Sequence, residues 1–116
     1  MIELGWPARI LNPNGRGHHM AKHRAKKAAR REGYFAAKAA GVSVTDASAP
    51  VRVSLTFHPP TRNLPDEDNA VASVKSHLDG IADALGMDDA LFRLERPVIA
   101  EPVKGGRVIV AIGDAG

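Results

Sequence analysis

The sequence predicts a small α+β fold: a mixed four-stranded sheet packed with two main helices in the order β-α-β-α-β-β, in one domain over residues 1–116. Three patterns predict it. Residues 51–58 alternate apolar and polar side chains, residues 19–40 are rich in alanine and long side chains, and Val71, Val74, Leu78, Ile81 and Leu85 recur at spacings of 3, 4, 3 and 4. The first period belongs to a strand with one buried face, the last to an amphipathic helix. A chain of 116 residues holds one such core, and no stretch has the length or composition of a linker.

Taken in order, Ile2, Leu4 and Trp6 alternate with Glu3 and Gly5 and predict a short first strand, stopped by Pro7. Residues 11–17, with Asn12-Pro13-Asn14-Gly15, predict a loop that carries Arg16. The helix over residues 19–40 ends at Gly41, which accepts the left-handed conformation of a helix terminus. On it Ala25, Ala28, Glu32, Phe35 and Ala39 share one face, apolar except for Glu32, which predicts the buried side. Residues 42–50 are small and polar and lead to the strand over 51–58, ended by Pro59-Pro60. One continuous helix follows, with Asp66 or Asp68 as its N-cap and Gly86 as its stop. Residues 91–100 predict a strand bulged at Pro97 and residues 107–112 another, with Lys104-Gly105-Gly106 as a hairpin turn between them.

Hydrophobic residues at 44% and charged residues at 25% exclude wholesale disorder. No apolar run approaches the length of a membrane span. Met1 leads straight into Ile2-Glu3-Leu4 without the layout of a signal peptide, so a cytoplasmic protein with no membrane partner is expected. The absence of cysteine excludes disulfides, thiol catalysis and thiolate metal sites. A metal would then be held by carboxylate, imidazole or carbonyl groups, and oxygen ligands favour magnesium (Mg2+) or manganese (Mn2+). The net charge of +3 hides a segregation: residues 1–42 carry nine Lys/Arg against two acids, and residues 43–116 carry seven against eleven. A basic half beside an acidic half suggests polyanion binding next to cation binding.

The acids gather at two places, Asp66-Glu67-Asp68-Asn69 before the second helix and Asp88-Asp89 after it. Neighbouring carboxylates resist ionising together, and a divalent cation relieves the repulsion. Asp66 and Asp68 reach one point near a helix start; Asp89 joins them only if the chain turns back beneath the helix. Lys75, two turns beyond Asp68, lies at nearly the same angle around the axis and is placed to meet a phosphate. Each has a plainer reading: Asp66 and Asp68 as caps, Asp88-Asp89 as a solvated turn, Lys75 as an i, i+4 partner of Asp79. The chemistry these parts suit is metal-assisted phosphodiester hydrolysis.

The pattern resembles the RusA family of Holliday-junction resolvases, especially its phage-type members. The resemblance rests on Asp66-Glu67-Asp68-Asn69, the helix from Val74-Lys75 to Leu85-Gly86, Asp88-Asp89, and Val103-Lys104-Gly105-Gly106-Arg107, with Trp6-Pro7 and Asn12-Pro13-Asn14 at the opening. It implies a homodimeric, magnesium-dependent endonuclease that places paired symmetric nicks across a four-way DNA junction. It further implies that Asp66, Asp68 and Asp89 hold the metal. The family's lysine follows the second aspartate by one helical turn, where this chain has Ala72, so Lys75 keeps the helix face but not the spacing.

Lys22, Lys26 and Arg30 form one i, i+4 row on the first helix and His23, Lys27 and Arg31 the adjacent one. Two basic rows without interleaved acids favour phosphate contact, so Arg16, Lys22, Lys26, Lys27, Arg30 and Arg31 are the expected DNA-binding residues, with Lys104 and Arg107 at the later turn. The rival expectations are a non-catalytic DNA-binding or architectural protein, in which the acids only cap and solubilise, and a nuclease for flaps or other branched DNA.

Overall fold

A computed structural model of the chain describes residues 1–13 and 19–114. Along it run β1 (Ile2–Gly5), a 3-10 turn (Arg9–Leu11), α1 (His19–Ala40), β2 (Val51–His58), α2 (Glu67–Ser73), α3 (Lys75–Leu85), a second 3-10 turn (Asp89–Leu91), β3 (Phe92–Leu94), β4 (Val98–Ile99) and β5 (Arg107–Asp114). The alternation in β2 does what it predicts: Val51, Val53, Leu55 and Phe57 are buried while the residues between them face outward. They join Ile2, Leu4, Val108 and Val110 from the neighbouring strands and Val74, Leu78 and Ile81 from the helices in one core. Over the described residues the fold is α+β, with three helices and a mixed five-stranded sheet.

β5 lies between β1 and β2 and is antiparallel to both, pairing Ile2 with Val110 on one side and Leu55 with Val110 on the other. β3 and β4 run parallel to β2 along its other edge, opposite Val51–Val53 and Thr56–Phe57 in turn. The single bulged strand expected over residues 91–100 is therefore two strands, because Pro97 has no N–H for the ladder. Lys104-Gly105-Gly106 does form a turn, with φ of 80° at Gly105 and 70° at Gly106. It is not a hairpin between neighbours, since β4 and β5 lie on opposite sides of β2.

The continuous helix expected from Asp66 to Gly86 is broken at Val74. Ser73 donates its hydroxyl to the carbonyl of Ala70 at 2.7 Å, the acceptor Val74 N–H would use in an unbroken helix, and Val74 N–H turns to Val71 at 3.2 Å. A serine that bonds back onto its own helix bends it. Val74, wholly buried, then accepts from Leu78 N–H and starts α3.

α1 meets α3 on a face other than the one its alanines suggest. Ala29, Gly33 and Ala37 are buried, whereas Ala28 and Ala39 are exposed and Phe35 is 59% exposed. The reason is close approach: an added Cβ on Gly33 would lie 2.0 Å from the His77 carbonyl oxygen, and one on Gly80 1.9 Å from the Arg30 carbonyl oxygen. Backbone contact at that crossing outweighs the burial of one phenylalanine.

Beside the crossing, His77 is 2% exposed and its Nε2 donates to Glu32 at 3.1 Å, while the other Glu32 oxygen accepts Gly5 N–H at 2.9 Å. The pair ties α3, α1 and β1 together and, among the described residues, leaves His77 Nδ1 buried without a partner. Burial pushes the His77 pKa below its ordinary value, with Glu32 opposing the shift. The unfolded chain then takes the proton more readily, so the stability this group contributes is complete above about pH 6.5 and declines as pH falls toward the depressed folded value. The unfolding free energy measured in urea should fall from pH 7.5 to pH 5.5, by up to about 1.4 kcal/mol per pH unit in the affected window. His77→Leu should flatten that dependence. Among the described residues no helix is long and apolar enough to cross a membrane.

Candidate functional site

Asp89 reaches α3 because the chain doubles back at Gly86. That glycine sits at φ 69°, and Met87 N–H bonds to the Ala82 carbonyl at 3.1 Å, a terminus only a residue tolerant of the left-handed region makes cheaply. Buried Met87 pins the return. Asp88 then caps the following 3-10 turn by accepting Ala90 N–H at 2.9 Å. This occupies one oxygen of Asp88, and Asp89 is turned into a cavity of about 570 Å³. Its polar lining is Lys75, Asp79 and Asp89, its apolar walls include Leu78 and Phe92, and Ala72 contributes from α2.

Asp79 and Asp89 both line this cavity. Burial raises the Asp79 pKa above its ordinary value, with Asp89 adding to the shift, while the neighbouring Asp79 lowers that of Asp89. Of the two, Asp89 therefore ionises at lower pH and Asp79 at higher. Lys75 favours the ionised form of both, and among the described residues no carboxylate lies within ion-pair distance of it. On the far side of the two aspartates lies a second cavity of about 300 Å³, lined by Arg30, Asp83 and Asp88 as well. There Arg30 grips Asp83 with two hydrogen bonds of 2.6 and 2.9 Å. Arg30 is thus a counter-charge behind the acids, where the sequence suggested a DNA contact. Asp79 was missed as a site residue. Its signal was its place one turn after Lys75, which reads equally well as an ion pair.

Asp66 is the N-cap of α2, yet its side chain makes no capping hydrogen bond. Asp68 lies in the first turn, one turn before Ala72 of the cavity lining. Glu67 between them is engaged by Arg96 at 3.2 and 3.3 Å. Among the described residues no three carboxylate or imidazole groups converge on a single ion position, so Asp66 and Asp68 are not gathered with Asp89 into one cluster. The break at Val74 also ends the shared phase of Asp68 and Lys75 around one axis. Lys75 faces the cavity nonetheless.

Of the expected DNA-binding residues, Arg16 lies outside the described residues. Lys22 and Lys26 flank a cavity of about 360 Å³ that also has Ala72, Lys75 and Asp79 in its lining, and Lys27 and Arg31 lie with Arg24 elsewhere on α1. Arg107 pairs with Glu3 at 3.1 Å and Lys104 is exposed at its turn. Trp6 packs edge-on against Phe57, with ring centroids 6.2 Å apart, and serves the core.

No protein-family model matches the chain. Over 114 residues it is 41% identical to an uncharacterized protein of Xylella fastidiosa, a match that covers 96% of this chain and 74% of that protein.

Proposed function

We propose, for a chain that belongs to one family with the uncharacterized Xylella fastidiosa protein, that the acidic cavity is the hydrolytic centre of a magnesium-dependent DNA endonuclease. Its substrate is branched DNA, the four-way junction above all, cut by paired nicks in the cytoplasm. The observation that carries the reading is the placement of Asp79, Asp89 and Lys75 around one cavity in a chain whose other half is basic. The resemblance of Asp66-Glu67-Asp68-Asn69, α3 and Asp88-Asp89 to the RusA resolvases supports it. A homodimer is part of the proposal, because paired cuts on a two-fold symmetric junction suit a two-fold enzyme.

The residues fit a hard divalent cation. The donors are carboxylate oxygens, and magnesium is commonly held by one or two carboxylates with substrate phosphates and water completing its shell. When bound, such an ion supplies charge neutralisation at the phosphate and a nucleophilic water at neutral pH. Asp79 and Asp89 would hold the ion, Asp89 being the more readily ionised of the two. Asp66 and Asp68, at the start of α2 and apart from Asp89, would reach the ion only through its water shell. The Lys75 ammonium opposes the negative charge that accumulates on the phosphate, and Leu78 and Phe92 keep that side of the cavity apolar.

The test is incubation with synthetic four-way junction, flap and linear duplex, each with and without magnesium. Cleavage of the junction in preference to duplex, only with the metal, is expected. Preferential cutting of flaps would move the substrate to another branched form. Cleavage of none under any divalent metal would overturn the enzyme and leave α1 as the contact surface of a DNA-binding protein.

A further inference from the structure

We propose that Lys22, Lys26 and Lys75 form a trough that holds the backbone of one nucleic-acid strand and leads it into the acidic cavity, separate from the contact made by Arg24, Lys27 and Arg31. The inference rests on the nuclease reading of that cavity and names how its substrate is held.

The placement follows from helical phase. Lys22 and Lys26 stand on the same face of α1 as Ala29, Gly33 and Ala37, at successive spacings of 4, 3, 4 and 4. Beyond the glycine crossing this inward face passes over the α2–α3 junction, whose side chains Ala72, Ser73 and Ser76 are small. Leu11, Pro13 and Ala72 supply the apolar part of the lining there, and the face turns from alanine to lysine. What remains is the trough of about 360 Å³, in which Ala72, Lys75 and Asp79 are shared with the acidic cavity. The two spaces are neighbours, and Lys75 lines both.

Charge selects the occupant. Three ammonium groups face one carboxylate, Asp79, and among the described residues Lys22 and Lys26 have no ion-pair partner. Lys22 and Lys26 are one turn apart, about 6 Å along the axis. Such a row with a third cation beyond it suits a chain of phosphates better than a single anion. Arg30, next in the sequence row, drops out because Asp83 holds it. Arg24, Lys27 and Arg31 lie around the opposite side of α1, facing away from the cavity.

The experiment measures affinity for a fluorescent four-way junction and a fluorescent single strand over a range of salt, in chelator, so that no cleavage is needed. Lys22→Ala/Lys26→Ala should flatten the salt dependence by about 1.5 in log–log slope, so that it loses roughly eightfold less affinity than the parent between about 50 and 200 mM salt. Lys26→Ala and Lys75→Ala should be non-additive by at least about twofold, because they meet the same strand, whereas Lys27→Ala and Lys75→Ala should combine independently. An unchanged slope, or independence of Lys26 and Lys75, overturns the trough. Absence of cleavage by the parent protein with magnesium would overturn the nuclease reading instead, and the affinities would still decide whether the trough exists.

Discussion

Gly80→Ala is expected to destabilise the protein by about 3 kcal/mol or more, at or beyond the upper end of what overpacking costs. Judged by helix propensity alone, the change should help by about 1 kcal/mol. The added Cβ, however, would lie 1.9 Å from the Arg30 carbonyl oxygen and 2.9 Å from Tyr34 N, both main-chain atoms of the facing helix. Neither can rotate aside, so α1 and α3 must separate, opening the core under Ile81 and loosening the Glu32–His77 pair. Gly33→Ala meets the His77 carbonyl in the same way and should behave alike. Urea unfolding monitored by circular dichroism measures the loss, with Gly113→Ala as a reference, since a Cβ there meets nothing within 4 Å. A Gly80→Ala midpoint at or above that of the parent would show that the helices do not cross in backbone contact.

Asp89→Asn is expected to abolish magnesium-dependent cleavage, a loss larger than the roughly 10- to 100-fold that removal of a group behind a metal ligand causes. Junction affinity in chelator should persist or rise, because a negative charge near the phosphate has gone. Asp68→Asn should weaken cleavage in the same direction if the start of α2 reaches the ion through its water shell as proposed. Asp88→Ala should differ in kind: it removes the cap on Ala90 N–H, costs about 1 kcal/mol of stability, and leaves the chemistry largely intact. Asp79→Asn should raise the magnesium concentration needed for half-maximal cleavage. Full activity in the Asp89→Asn protein would sink the proposed centre. Cleavage kinetics on the junction across a magnesium series distinguish these outcomes.

Much of this was readable from local pattern. The period of two in residues 51–58, the length of α1 with its stop at Gly41, and the turn at Gly86 each depend on the chain within a few residues, and each stands in the fold. The acid-rich segments were visible for the same reason, since clustering along the chain needs no partner to be seen. The direction of Asp89 was not, because it depends on whether Gly86 and buried Met87 return the chain beneath α3.

What the sequence by itself determined is the kind of protein: an α+β domain with a basic first half, acids flanking the second amphipathic stretch, and no thiol chemistry. Tertiary structure alone decided which face of α1 is inward, that Arg30 serves Asp83, that Asp79 and Asp89 line one cavity, and that β5 pairs with β1 and β2. The physical reason is common to the first two. Periodicity says which residues share a face, but the closest approach of two backbones selects the face that is buried. Two glycines 47 residues apart, Gly33 and Gly80, set that approach here, and the charges on both helices fall into place around it.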